Sequence, residues 1–225
     1  MTDTLYTLYP IFLADADVRT VFADPDDRMR ATREVEDLIK RLQDRVTLRG
    51  SYSTVGFRAD ADLMLWFVGP SAEDVQHAFA EFRRTEIGGY LEATWTFMGV
   101  VKPAEFSPEH QPAFAKGDAP LDYLCVYPYV RTPEWYLLPP EERSTLLREH
   151  GGAGREIPHV VGNTTSAFGL GDWEWILAFE SPQLDSIVDV IRLLRGTEAR
   201  RFTKEEVPFV TGIRKSLAAC IDDMC

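Results

Sequence analysis

The residues able to do chemistry gather in one stretch, CVYPYVRTPEWYLLPPEERSTLLREHGG, running from Cys125 to Gly152. Tyr127, Tyr129, Trp135 and Tyr136 supply oxidisable rings, Arg131 a fixed cation, and His150 a lone imidazole near the end of an expected helix. Pro139 and Pro140 suit a helix start, Glu141 and Glu142 suit its positive end, and Gly151 and Gly152 suit its stop. His150 then falls in the last turn, with Leu146 and Leu147 one turn back, so its side chain shares an apolar face and points inward. Such a histidine can cap its own helix end. Spacing alone favours that use; the alternative is an axial ligand to a haem iron, which asks for a neutral imidazole on a rigid helix facing an apolar cavity.

Tyr127 lies on an expected strand. Arg131, four residues on, shares its face by strand alternation and pairs a phenol with a guanidinium; Tyr129 is expected on the opposite face, and since only one face can meet a cavity, one of the two tyrosines is packing. Three other histidines complete the census. His77 reads as a solvated helix position and His159 as a loop residue without a carboxylate pattern. His110 sits in EFSPEHQPAF between two prolines, an exposed linker residue unless that linker folds over a pocket, where it could move a proton.

These side chains need a soluble scaffold. The 225 residues are 45% hydrophobic and 27% charged, enough for one large domain or two small ones. A formal net charge of -12 repels nucleic acid and anionic membranes, which favours a small ligand and gives weight to any arginine beside a pocket. Cys125, Cys220 and Cys225 form no CxxC pair, so reduced thiols are expected instead of a disulfide frame or structural zinc. No apolar run reaches the roughly 18 residues of a membrane span, and MTDTLYTLYP lacks a secretory pattern; a cytoplasmic protein is expected.

The elements that must position the chemistry follow from periodicity. LYTLYPIFLA reads as a strand, residues 26–43 as a helix with Val35, Leu38, Ile39 and Leu42 on one face, and RGSYSTVGFRA and DLMLWFVG as two further strands. SAEDVQHAFAEFRRTE opens with a serine and a glutamate set for a capping box, and EATWTFMGVV closes the series as a strand. The second half repeats this order. An offset of 112 (182 − 70) relates Pro70 to Pro182, Phe67 to Phe179, Arg83 to Arg195 and Thr85 to Thr197. LYP at Leu8 matches VYP at Val126, and the joint falls in residues 102–120. The prediction is an α+β chain of two tandem ferredoxin-like units, residues 1–101 and 121–225, joined by the linker that carries His110. Strands apolar at nearly every position, such as DWEWILAFE, imply that both sheet faces are covered. Packing the sheets into a dimeric α+β barrel would cover them and leave a cavity between one sheet and its helices.

The order and spacing of YPYVRTPEWYLLPPEER, REHG, FGLGDWEWILAFE and PFVTGIRK resemble the coproheme decarboxylases, in their actinobacterial form, a haem-synthesis branch of the chlorite dismutase superfamily. The resemblance implies that His150 is the proximal iron ligand, Tyr127 the radical-bearing catalytic residue and His110 a distal histidine. It places Arg131 and Trp135 beside the reacting propionates, with Arg155, Lys204 and Arg214 as further candidates for a four-carboxylate substrate. The implied reaction uses hydrogen peroxide to turn two propionates of iron coproporphyrin III (coproheme) into vinyl groups, giving haem b, in a homopentamer. Chlorite dismutation would need an arginine in VVGNTTSAF, where none stands. A haem carrier without turnover would need His150 alone, and a non-haem binding module none of the three.

Overall fold

A computed structural model describes residues 4–107 and 111–225, and its chain divides into two compact units, residues 1–101 with 210–225 and residues 102–209. The first begins with β1 (Tyr6–Ala14), a short α1 (Val18–Val21), α2 (Pro25–Leu42), β2 (Thr47–Arg58), β3 (Ala61–Gly69), α3 (Ala72–Phe82) and β4 (Leu91–Val100). The second comprises β5 (Tyr123–Arg131), α4 (Pro133–Leu137), α5 (Pro140–Gly154), β6 (Val161–Ser166), β7 (Trp175–Ser181), α6 (Leu184–Arg195) and β8 (Thr203–Glu205). Then β9 (Val210–Lys215) and α7 (Leu217–Met224) return to the first unit.

Both units are ferredoxin-like. In the first, β1 lies between β3 and β4, and β2 pairs with β3, all antiparallel. In the second, β5 lies between β7 and β8, and β6 pairs with β7. The sequence reading carried the second half to Cys225, but Ser51, Tyr52 and Ser53 of β2 pair with Lys215, Arg214 and Ile213 of β9. The reason is the free edge of β2. A fifth strand satisfies its outward N–H and C=O groups.

Val35 and Leu38 of α2 and Val75 and Phe82 of α3 are buried on Leu8, Phe12, Leu63 and Phe67 in one cluster, where each large side chain contributes about 1.5–3 kcal/mol. Leu63 through Phe67 are all at most 1% exposed, so both faces of β3 are covered, as its unbroken apolar run predicts. The cap of α3 is confirmed with a different acid. Ser71 Oγ accepts from the Asp74 N–H at 3.1 Å and donates to the Asp74 carboxylate at 2.7 Å, so the partner is an aspartate three residues on. No helix among the described residues is long and apolar enough to cross a membrane.

The second unit has its own core, in which Cys125, Tyr127, Phe179, Ile187 and Val190 are buried. A polar knot fixes its linker. The buried Asn163 carboxamide accepts from Phe114 N–H at 3.1 Å and donates to Glu180 at 3.0 Å, while Glu180 accepts from Leu121 N–H at 3.0 Å. Arg143 of α5 adds an ion pair to Glu105 at 2.5 Å.

Candidate functional site

A cavity opens in the second unit between its sheet and the helices α5 and α6. Its floor consists of cross-strand rows. Thr164, Leu177 and Tyr127 stand side by side on β6, β7 and β5, followed by Ser166, Trp175 and Tyr129 one pleat further on, and all six line the space. Arg131 continues the β5 column. Tyr129 therefore shares the face of Tyr127 and Arg131, against the sequence expectation, because residues i, i+2 and i+4 of a strand point the same way. The opposite wall is helical, with Leu147 and His150 from α5 and Ile191 and Leu194 from α6 repeating at i, i+3.

His150 belongs to this wall, although α5 does not end where the glycines suggested. Gly151 and Gly152 remain helical, and the stop comes at Arg155, whose N–H reaches back to their carbonyls. Glycine weakens a helix without terminating it unless the chain needs a left-handed turn there. His150 is partly buried, and desolvation, helped by the nearby Arg131 charge, lowers its pKa to about 4. The imidazole is neutral near pH 7. Its Nδ1 lies 3.0 Å from Thr197 Oγ1, and that hydroxyl already donates to Leu194 O at 2.8 Å. Only the lone pairs of Oγ1 are left to meet the ring, so Nδ1 carries the proton and Nε2 a free lone pair.

Tyr127 is 5% exposed, and its ring stacks on Phe209 at 4.3 Å with an interplanar angle of 25°. Desolvation first, then the nearby Cys125 and Glu206, hold its pKa far above the usual phenol range, so it is a neutral phenol. Arg131, 7% exposed, donates to Ala199 O at 3.0 Å and lays its guanidinium over Trp135 at 4.2 Å and Tyr129 at 5.1 Å. Trp135 reaches the cavity from α4.

Lys102, Arg131, Arg195 and Arg200 line the cavity against Glu105 and Glu206, a local positive excess in a chain of net charge -12. Glu206 pairs with Arg200 at 2.8 Å and Arg195 at 3.4 Å. Among the further cations named from the sequence, Arg155 and Lys204 are absent from the described lining, and Arg214 lies on β9 of the first unit. His110 lies outside the described residues. His77 is exposed on α3, and His159 meets Ser186 Oγ at 2.7 Å. Thr197 and Arg195 were flagged in the sequence only as repeats of Thr85 and Arg83, and Lys102 and Arg200 carried no local signal, since the fold alone collects them.

The cavity suits a large planar group bearing iron and carboxylates. The bare Nε2 provides a ligand, the aromatic and aliphatic walls an apolar slot, and the lining cations partners for carboxylates.

Comparison with known proteins places this geometry in a lineage. The family model described as chlorite dismutase matches residues 28–215. The coproheme decarboxylase of Mycolicibacterium smegmatis is 48% identical over 194 residues, covering 85% of this chain and 84% of its own. Two solved structures of chlorite dismutase from Candidatus Nitrospira defluvii, one of a mutant and one in complex with imidazole, align with TM-scores of 0.86 and 0.87. Each is 22% identical and covers 98% of this chain and 94% of the other, a likeness of fold alone. The α+β class read from the duplication, two ferredoxin-like units, is the class these structures share.

Proposed function

Because the chain belongs to the chlorite dismutase family, we propose that it is a coproheme decarboxylase acting in haem synthesis, with hydrogen peroxide as the oxidant. The observation that carries this reading is one cavity whose helical wall offers a neutral imidazole with a free Nε2 and whose strand wall offers a buried phenol, with a guanidinium four residues on along the same strand.

The substrate is iron coproporphyrin III, and its iron, once bound, supplies the oxidising chemistry that peroxide drives. His150 ligates that iron through Nε2 and is held in register by Thr197. Arg131 and Trp135 orient a propionate, the guanidinium by charge-assisted hydrogen bonds and the indole by closing the slot behind it. Tyr127 gives up a hydrogen atom, and its oxygen-centred radical takes one from the propionate β-carbon. His110 receives the first proton of peroxide. Each turn balances as one propionate carboxylate, one hydrogen peroxide and one proton giving a vinyl group, carbon dioxide and two waters. The phenol needs no deprotonation beforehand, which suits the apolar surroundings that keep it neutral.

Chlorite dismutation is the weaker reading, since β6 presents Thr164 and Ser166 to the cavity where that chemistry would call for an arginine. We infer a ring of five copies as the assembly, to be checked by native mass measurement.

The test is a titration with ferric coproheme followed by stepwise hydrogen peroxide and mass analysis of the porphyrin. Two successive losses of about 46 daltons, each a carbon dioxide and two hydrogens, are expected. Tyr127→Phe should bind coproheme and leave its mass unchanged. Binding without mass loss in the wild type would leave a carrier or a chlorite enzyme, and absence of binding would overturn the role of His150.

A further inference from the structure

The second unit holds another tyrosine built for oxidation. Tyr136, at the end of α4, is 40% exposed and donates its hydroxyl to the Glu174 carboxylate at 2.5 Å. Burial and that carboxylate raise its pKa above the usual phenol range, and the Trp175 indole lies close enough to pull it slightly the other way. Trp175 lines the cavity and stacks on Tyr129 at 6.2 Å with an interplanar angle of 13°. Phe168 closes the gap outward, 5.4 Å from Trp175 and 6.1 Å from Tyr136 by ring centroids. Glu174 is itself fixed, because the same carboxylate oxygen accepts from the Arg131 N–H at 2.8 Å.

A continuous path of rings therefore runs from the cavity wall to solvent, and its outer tyrosine donates to a carboxylate. A phenol that loses an electron becomes a strong acid. A hydrogen-bonded carboxylate that takes the proton in the same event makes the oxidation far easier. Tyr127 has no such carboxylate hydrogen bond among the described residues, although it sits deeper and closer to the reacting carbon in the reading above.

We propose that Trp175, Tyr136 and Glu174 form an exit for surplus oxidising equivalents, which protects the porphyrin and Tyr127 when peroxide arrives and no reactive propionate remains. This rests on the peroxide chemistry proposed for the same cavity. Trp175 loses one electron to the oxidised porphyrin site; Tyr136 restores it, losing one electron and passing its proton to Glu174. A solution thiol then returns one hydrogen atom to the Tyr136 oxygen while the proton on Glu174 leaves to water. Two passages deliver the two electrons that reduce one hydrogen peroxide, with two protons, to two waters, and two thiols are oxidised to one disulfide.

The test uses holoprotein taken to full conversion, then given excess hydrogen peroxide and a nitroso spin trap without thiol, with peptide mass spectrometry and porphyrin absorbance as readouts. In the wild type the trap should mark Tyr136. In Tyr136→Phe, which keeps the ring against Phe168, the mark should move inward to Trp175 or Tyr129, and porphyrin bleaching should quicken by roughly threefold. Glu174→Gln retains an oxygen acceptor for the Arg131 N–H but no base, and should lower the yield at Tyr136 with coproheme affinity unchanged. A wild-type protein that decarboxylates coproheme yet is never marked at Tyr136, or a Tyr136→Phe protein with unchanged marks and bleaching, overturns the exit and leaves the decarboxylase standing. Marks at Tyr136 with constant porphyrin mass would do the reverse.

Discussion

The Thr197 hydroxyl stands between two groups, donating to Leu194 O at 2.8 Å and meeting His150 Nδ1 at 3.0 Å. That arrangement allows one tautomer of the histidine. Thr197→Val removes the acceptor and frees the ring to turn and to protonate either nitrogen. Coproheme affinity should fall by roughly tenfold to a hundredfold, read by absorbance titration, while Thr197→Ser should keep wild-type affinity. Equal affinities for the valine and serine variants would contradict the tautomer argument.

A second expectation concerns acid. The folded His150 takes a proton only near pH 4, whereas the unfolded imidazole does so near 6.5. Between those values the unfolded chain binds more protons, so this group's contribution is fully present above pH 6.5 and is lost as pH falls towards about 4. Denaturant titrations of wild type and His150→Gln across that window should show their stability difference shifting against the wild type on acidification. A pH-independent difference would mean that the imidazole is not desolvated.

Arg131 is held by shape as much as by charge. Lysine at this position keeps the cation but cannot stack flat on Trp135 or present a fork to a carboxylate. Arg131→Lys should weaken coproheme binding by roughly tenfold, and should cost about 1 kcal/mol of stability through the lost stacking and the Ala199 hydrogen bond. Isothermal titration and thermal melts report the two separately.

The first unit repeats the threonine without the histidine. Thr85 donates to Phe82 O at 2.7 Å and accepts from the Gly88 N–H at 3.2 Å, a purely structural use of the motif that Thr197 turns towards His150. Gly88 is fixed there by space, since a Cβ on it would lie 2.0 Å from Phe82 O. Gly88→Ala should therefore destabilise by more than about 3 kcal/mol, and Thr85→Val, which strands a buried N–H, by about 1–3 kcal/mol. Denaturant melts would check both, and a neutral Gly88→Ala would mean that the backbone there shifts freely.

Much of this was legible in the residues because it rests on local periodicity. The 112-residue offset reflects two units with the same strand and helix order, and the Tyr127–Arg131 column follows from alternation, as does Tyr129 once the period of two is applied strictly. The return of β9 was not legible, because Ser51 and Lys215 are 164 residues apart and no local pattern records such a pairing. The same holds for the partners of His150 and Tyr136. Thr197 and Glu174 reach them across 47 and 38 residues, and a threonine or glutamate in a loop has many uses that composition cannot separate.

The route of the chain also orders events during synthesis. Residues 102–209 contain β5 to β8 and the pairings these strands make with one another, whereas β2 of the first unit lacks its partner until β9 has been made. On a ribosome the unit begun second can form the pairings among its own strands first. A chain that has emerged as far as Phe209 would hold the pairings β6–β7, β7–β5 and β5–β8, together with a β2 edge still waiting for β9.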